Sequence, residues 1–182
     1  MIEPSENDSA AVQRVLAGDV EAFALLVDRH HARLARCAFH LLGSEAEAEE
    51  AVQDSFVRAY RSLATYKEQE QFGGWIMRIL VNRCRTRLVR DRRREETAAA
   101  WLRECEQVFE PNDRLAMRDE LSKALAQLPG EQREAVVLRY ADELDYEEIS
   151  SITGAKISAL KMRVKRGCER LRALLEASRA GQ

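Results

Sequence analysis

Apolar residues recur at helical spacing through the first half of the chain. Between Phe23 and Leu42 they fall mainly three, four or seven positions apart, which is the period of one helix face. A second run of this kind extends from Ala48 to Leu63, and a third extends from Trp75 to Leu88. Together with a short leading helix over residues 9–17, these segments predict a small helical bundle within residues 9–94.

Cap and turn residues mark the boundaries of these helices. Asp19 is a good N-cap for the second helix, and Gly43 supplies a stop at its end. Ser44 and Glu47 have the spacing of a capping box and so open the third helix. The apolar pattern lapses over residues 64–71, which predicts a polar loop before the fourth helix.

A second helical region follows an acidic stretch that ends at Pro111. We interpret residues 95–111 as a linker and residues 112–177 as a second domain. Leucines at helical spacing run up to the Pro129–Gly130 break, and a helix is expected over residues 131–141. A capping box then opens a short helix ending at Thr153, and a long basic helix follows over about residues 156–177.

Composition supports an all-α fold with two small helical domains joined by an acidic linker. Aromatic residues make up 6% of the chain, and there are eight glycines and three prolines, fewer than sheet proteins usually need. No apolar run is long enough to span a membrane, and the acidic, polar N-terminus does not resemble a secretory signal. Four cysteines without a CxxC pair are typical of reduced thiols, so we expect a cytoplasmic protein.

Charge is strongly segregated although the net charge is only −2. Residues 83–94 contain seven arginines and one acidic residue, and residues 156–182 contain eight basic and two acidic residues. Two compact basic segments predict a polyanion bound at two points, because each displaces condensed counterions from phosphate. The intervening acidic segments suit a basic protein partner. The alternative is that each charge run is simply a solvated helix face.

The second domain contains the ingredients of a helix-turn-helix: a short helix, a glycine turn and a basic helix. In the last helix Lys161 and Lys165 lie opposite an apolar stripe that includes Leu160 and Val164. This separation of faces is what a helix in the major groove requires. An ordinary amphipathic helix pair is the alternative.

The arginine-rich end of the first domain is a second candidate nucleic-acid site. Its arginines are spread around the helix, which favours phosphate contacts over base readout. Tyr66 and Phe72 precede it, and aromatic rings beside arginine can stack on unpaired bases. The alternative is that Phe72 and Trp75 are core residues, which we favour for Trp75.

Two stretches of the sequence carry a family resemblance. The runs AEEAVQDSFVRAY at residues 48–60 and F..WIMRILVN at residues 72–82 resemble region two of a bacterial sigma factor. The stretch from Ala124 to Ile149 resembles region four. Because only these two regions and a short linker are present, the chain is similar to the extracytoplasmic-function (ECF) group of the sigma-70 family. The resemblance covers about residues 12–94 and 112–176.

The resemblance implies a sigma factor that directs promoter-specific transcription initiation by core RNA polymerase, with no catalytic activity, cofactor or metal of its own. The expected contacts with the β′ clamp helices are Glu50, Gln53, Asp54, Arg58 and Arg61. The expected contacts with the opened minus-ten element are Tyr66, Lys67, Phe72, Asn82, Arg83, Arg85, Arg87 and Arg90. The expected contacts with the duplex minus-thirty-five element are Lys161, Met162, Arg163, Lys165 and Arg166. Region four is also expected to bind the β flap, and an anti-sigma factor is an expected partner.

The recognition helix departs from the pattern common in the family. Ala159 stands where a phosphate-binding threonine is usual, and Met162 replaces a small polar residue. Gly167 and Cys168 stand where alanine and arginine are common, at a cost in helix propensity and charge. These changes affect the expected minus-thirty-five sequence and leave the expected fold intact.

Three other interpretations remain open at this point. A helix-turn-helix regulator with a dimerising N-terminal bundle would bind a duplex operator without polymerase. A nuclease would need a magnesium site, for which Glu47, Glu50 and Asp54 share a helix face. A metal or redox site at His30, Cys37 and His40 is the third, less favoured than a buried thiol beside solvated histidines.

Overall fold

The computed structural model describes residues 4–67, 71–98 and 113–180 of the chain. Within these ranges every regular element is helical, which confirms the all-α prediction. The predicted linker lies partly outside them: its residues 99–111, including Trp101, are not among the described residues. The remaining four, residues 95–98, continue the helix that precedes it.

The first group of helices forms the N-terminal module, residues 4–98. Its elements are α1 (Pro4–Leu16), α2 (Ala22–Leu42), α3 (Glu45–Ser62), a 3₁₀ turn (Leu63–Thr65) and α4 (Phe72–Ala98). α1 begins five residues before the predicted leading helix, and α4 runs four residues past the predicted end of the first domain. Helix propensity is high across the arginines and glutamates there, and no Gly or Pro interrupts them.

Of the two N-caps predicted for α2 and α3, the structure shows the one at α3. Ser44 caps α3 by accepting a hydrogen bond from the Glu47 backbone N–H at 3.4 Å. The Glu47 carboxylate also accepts a hydrogen bond from Arg87 across the bundle. At the start of α2 the N-cap is Glu21 and not Asp19, although the Asp19 carboxylate still accepts a hydrogen bond from the Ala22 N–H.

The core of the N-terminal module is centred on α2, which packs against α1, α3 and α4. Side chains at the predicted helical spacing are completely or almost completely buried; they include Leu26, Leu34, Val52, Ile76 and Leu80. Burying each of these side chains contributes about 1.5–3 kcal/mol. The apolar stripes therefore account for the bundle.

The C-terminal module, residues 113–180, is built around its last helix. Its elements are α5 (Asp113–Ala126), α6 (Gly130–Tyr140), α7 (Tyr146–Thr153) and α8 (Ile157–Ala180). α8 packs against α5, α6 and α7, and Leu138, Ile149 and Leu160 are fully buried between them.

The two modules pack against each other. α2 contacts α5 and α6, and α4 contacts α7. The surfaces that meet carry buried charged side chains as well as apolar ones. Among the helices that the structure describes, none combines the length and the apolar character needed to cross a bilayer.

Candidate nucleic-acid interface

α7 and α8 form the predicted helix-turn-helix. The Asp145 carboxylate accepts a hydrogen bond from the Glu148 N–H, and the Glu148 carboxylate accepts one from the Asp145 N–H, each at 2.8 Å. This complete capping box fixes the start of α7. Gly154 then adopts φ +72°, a left-handed conformation that favours glycine, and turns the chain into α8. Ile149 and Ile152 are buried and hold α7 against α8.

One face of α8 presents most of the predicted minus-thirty-five contacts to solvent. Lys161, Lys165 and Arg166 are exposed, and Met162 is 47% exposed. Arg163 lies on the other side of the helix, where its guanidinium forms an ion pair with Glu131 at 2.7 Å. Four of the five residues therefore share an open, mostly basic surface, and the fifth is held by α6.

Tyr146 supports this surface, a role that the sequence analysis did not assign. The Lys161 Nζ lies 5.6 Å from the centroid of the Tyr146 ring, and the Arg139 Cζ lies 5.2 Å from it. Cation–π contacts of this kind favour a defined position for the Lys161 side chain. The available sequence signal was an aromatic residue directly after the α7 N-cap.

Two of the α4 arginines are turned towards α3. Arg87 forms ion pairs with Glu50 at 2.6 Å and with Glu47 at 3.3 Å, and Arg83 forms one with Asp54. The hydrogen bond with Glu50 raises the pKa of Arg87 above its ordinary value. These acidic residues, which share a helix face, bind arginines of the same module.

Arg85 points from α4 in the opposite direction, into the C-terminal module. Its Nε and Nη2 atoms donate to the two carboxylate oxygens of Glu134, each at 2.6 Å. Among the other predicted minus-ten residues, Lys67, Asn82 and Arg90 are exposed. The arginines of α4 are thus distributed around the helix, as their sequence spacing predicts.

Tyr66 and the aromatic residues in the first turn of α4 form one cluster. Tyr66 lies 5.3 Å from Trp75 and 5.9 Å from Phe72 between ring centroids, and Phe72 also contacts His30. Phe72 is 1% exposed, so its ring has no free face for a base and it acts as a core residue in this structure. The alternative that the sequence analysis left open for Phe72 is therefore the one observed. Tyr66 is half-buried and lies at the edge of the cluster.

The predicted polymerase contacts lie along one face of α3. Glu50, Gln53, Arg58 and Arg61 are exposed, whereas Asp54 is half-buried beside Arg83. The face carries both signs of charge. Its acidic residues, Glu50 and Asp54, also form ion pairs with arginines of α4.

The His30, Cys37 and His40 set is not brought together as a ligand cluster. The His30 Nε2 lies 2.8 Å from a carboxylate oxygen of Asp8, and Cys37 is buried beside Asp142. Burial, followed by the charge of Asp142, raises the pKa of the Cys37 thiol. No group of three potential ligands with metal-binding geometry occurs among the described side chains.

An apolar groove of about 550 Å³ opens between α5, α6 and α8 near the end of α2. Leu171 and Leu175, which the sequence places on the apolar stripe of α8, line it and are half-buried. Leu121, Val136 and Tyr140 are among the other residues that line it. Only the first half of the stripe, at Leu160 and Val164, is buried.

Comparison with protein families matches both modules. Residues 26–94 match the family model described as Sigma-70 region 2, and residues 118–171 match the model described as Sigma-70, region 4. The ECF RNA polymerase sigma-E factor of Salmonella typhimurium LT2 is 31% identical over 176 residues, covering 90% of this chain and 91% of that protein. The RNA polymerase sigma-H factor of Pseudomonas aeruginosa is 28% identical with the same coverage.

Solved structures show the same arrangement of helices. CnrH, in complex with the cytosolic domain of CnrY, superposes with a TM-score of 0.72 at 26% identity, covering 94% of this chain and 98% of that chain. The sigma factor RpoE of Bartonella quintana, in complex with the anti-sigma factor NepR, gives a TM-score of 0.70 at 25% identity. That match covers 85% of this chain and 96% of that chain.

Proposed function

The chain belongs to the ECF group of the sigma-70 family, and from this premise we propose how its two modules divide the work of promoter recognition. It serves promoter-specific initiation of transcription by RNA polymerase. The C-terminal module reads the minus-thirty-five element as duplex, and the N-terminal module binds the opened minus-ten element and the polymerase. The main observation in support is that α8, which follows the capped helix α7 in the helix-turn-helix, exposes a basic surface to solvent.

The exposed face of α8 reads the major groove in this proposal. Lys161, Lys165 and Arg166 supply positive charge, and Met162 supplies apolar surface for a thymine methyl. Tyr146 positions the Lys161 side chain through its ring. Arg163, which is paired with Glu131, contributes a phosphate contact once that ion pair opens.

The minus-ten surface combines Tyr66 and Lys67 with residues 72–90 of α4. Asn82 offers a side-chain amide for base edges, and the exposed Arg90 provides a phosphate contact. Arg83, Arg85 and Arg87 provide further phosphate contacts once their ion pairs with carboxylates open. Tyr66 is the aromatic residue of the loop that retains an open edge, and Phe72 supports it from the core.

The polymerase surface is the mixed-charge face of α3. Gln53, Arg58 and Arg61 contact the β′ clamp helices directly in this proposal, with Glu50 and Asp54 beside them. The apolar groove between α5, α6 and α8 suits the β flap, which region four is expected to bind. The chain acts without catalysis of its own, in the cytoplasm.

An anti-sigma factor is the regulatory partner that we propose. Two similar solved structures are complexes, one with the cytosolic domain of CnrY and one with the anti-sigma factor NepR. Both superpose over most of this chain, which supports a partner of the same class here.

Run-off transcription with core polymerase tests the proposal. Lys161→Ala combined with Arg166→Ala removes two charges from the exposed face, so transcription should fall by about tenfold or more while core binding is retained. Arg58→Glu should instead weaken core association in a pull-down, because it reverses an exposed charge on α3.

The matched control is Arg36→Ala combined with Arg170→Ala, which removes the same charge from exposed positions outside the recognition segment. Equal losses in the two double variants would contradict base reading by the exposed face. Tight operator binding by the free wild-type chain, without polymerase, would favour an ordinary helix-turn-helix regulator.

A further inference from the structure

Asp8 of α1 is a buried carboxylate with two partners on α2. Its side chain is 7% exposed, one oxygen accepts a hydrogen bond from the Arg29 guanidinium, and the other lies 2.8 Å from the His30 Nε2. Such a group is costly to bury unless its oxygens are hydrogen-bonded, and here both are. Neither Asp8 nor His30 belongs to the polymerase surface or to the two DNA-binding surfaces described above.

The contact with Asp8 fixes the orientation of the His30 ring. Asp8 is ion-paired with Arg29 and its carboxylate accepts hydrogen bonds, so the His30 Nε2 carries a proton and donates it. The edge of the ring formed by Cε1 and Nδ1 then faces the first turn of α4. A Cβ atom on Gly73 would lie 3.2 Å from the His30 Cε1 and 3.5 Å from its Nδ1. Glycine at this position therefore allows the ring to lie close against α4.

A series of ring contacts leads from His30 to Tyr66. The His30 centroid lies 5.3 Å from that of Phe72, and Phe72 meets Tyr66 edge-on with 73° between the ring planes. These separations are typical of favourable aromatic pairs. Tyr66 is the last ring of the series and is half-buried. The Asp8–His30 hydrogen bond is thus connected to Tyr66 through one intervening side chain.

The backbone around Tyr66 rests on the same helices. The Tyr66 N–H donates to the Leu63 carbonyl at 3.0 Å and closes the 3₁₀ turn. α1 contacts both this turn and α4, and α2 contacts α4. The two described segments that flank residues 68–70 are therefore both held by the helices that Asp8 joins.

We propose that Asp8 and His30 are positioning residues for the minus-ten element. Their hydrogen bond fixes the His30 ring, His30 supports Phe72, and Phe72 holds the Tyr66 ring in place for stacking on an unpaired base. This rests on the proposed function, which assigns Tyr66 to the opened minus-ten element. A ring that is ordered before binding loses less conformational freedom on binding, so the series raises the affinity for single-stranded DNA.

Binding of labelled single-stranded DNA of random sequence, about 20 nucleotides long, by the chain loaded on core RNA polymerase tests the proposal. Core polymerase alone supplies the baseline. Tyr66→Ala should weaken binding about 5- to 150-fold, because stacking on one base is lost. Tyr66→Phe keeps the ring and should bind like the wild-type chain.

Two further variants remove different contacts of the series. Asp8→Ala removes the acceptor that orients His30, and it should weaken binding about two- to twelvefold, because the DNA must then order the Tyr66 side chain itself. His30→Gln keeps a donor for Asp8 but has no ring to support Phe72, and it should weaken binding to a similar extent. Because Asp8 keeps both partners in His30→Gln, this variant tests the series even if Asp8→Ala does not fold.

Double variants distinguish positioning from a general loss of stability. If Asp8 and His30 act through Tyr66, neither Asp8→Ala nor His30→Gln should weaken binding further in a chain that already carries Tyr66→Ala. Val12→Ala is the matched control, since Val12 also lies on α1 and is fully buried but is outside the series. It should lower the urea midpoint and leave DNA binding unchanged.

The proposal is overturned if Asp8→Ala and His30→Gln bind DNA like the wild-type chain, or if their losses are the same with and without Tyr66→Ala. An equal loss in Val12→Ala would also overturn it, because the effect would then come from packing of α1. If Tyr66→Ala weakens binding while the Asp8 and His30 variants do not, the proposed function stands and the positioning role alone is wrong. If Tyr66→Ala does not weaken binding, the assignment of Tyr66 to the minus-ten element is wrong and the positioning role fails with it.

Discussion

Gly167 shows how one missing side chain sets the packing of the C-terminal module. A Cβ atom at this position would lie 2.6 Å from the Val136 Cγ2 and 3.3 Å from the Gln132 carbonyl oxygen. Glycine therefore allows α6 to approach α8 closely, and this explains a residue that departs from the common family pattern. Glycine at this position costs about 1 kcal/mol of helix propensity relative to alanine.

Gly167→Ala should destabilise the protein by about 1–3 kcal/mol, because a methyl group is forced against Val136. Urea unfolding measures the change. Gly130→Ala is the matched control, since nothing lies within 4 Å of its Cβ position, and it should be neutral or slightly stabilising. A second test combines Gly167→Ala with Val136→Ala, which should recover part of the loss. Equal stability of the two single variants would contradict this account.

The buried thiols provide a second prediction at the residue scale. Burial raises the pKa of Cys84 to about 12 and also raises that of Cys37. Because a raised pKa keeps the thiol protonated up to higher pH, only about one part in 10,000 of Cys84 is thiolate at pH 8. Iodoacetamide at pH 8 should therefore leave both unmodified in the native chain and modify both in denaturant, as read by peptide mass spectrometry. Rapid native labelling of Cys84 would rule out this environment.

At the scale of the element, α7 is the helix of the interface that depends most on its cap and on tertiary packing for stability. It has eight residues, too few for stability by itself, and it depends on its capping box and on the burial of Ile149 and Ile152. Its N-terminal end positions Tyr146 below Lys161, and its C-terminal end receives Arg85. Capping of α7 thus affects both candidate DNA-binding surfaces.

Asp145→Ala should cost about 0.5–2 kcal/mol of stability, because the Glu148 N–H loses its acceptor. Asp145→Ser retains a side-chain oxygen and should lose distinctly less. Urea unfolding compares the two variants. If serine and alanine are equally destabilising, the effect does not come from the cap.

At the scale of the whole molecule, the two modules depend on each other for hydrogen-bond partners. The Arg133 guanidinium donates to the carbonyl of Leu41 near the end of α2 and to that of Ala126 at the end of α5. Carbonyls at a helix C-terminus lack partners within the helix, so this arginine satisfies groups in both modules. The interface is consequently polar as well as apolar.

Arg133→Ala should accelerate hydrogen exchange on both sides of the interface, at the end of α2 and around the α5–α6 turn. Loss of these hydrogen bonds should cost about 1–3 kcal/mol of stability. Arg170→Ala, which removes an exposed arginine of α8, should leave both regions unchanged. Faster exchange confined to the C-terminal module would indicate that Arg133 does not couple the two.

Periodicity in the sequence alone predicted the helices and the helix-turn-helix, and the spacing of Lys161, Lys165 and Arg166 predicted its basic face, because these features depend on contacts between near neighbours. It did not predict that Arg163 pairs with Glu131 or that Glu21 is the N-cap of α2. Helical spacing also predicted that the α4 arginines surround their helix. Only the tertiary structure decided which charges are available, since Arg85 meets Glu134 and Arg33 meets Asp142 across long separations in sequence. The tertiary structure also showed that Phe72 lies in the core and that Gly167 allows α6 and α8 to pack closely. Pairing of distant groups depends on how the modules dock, and no local pattern encodes that geometry.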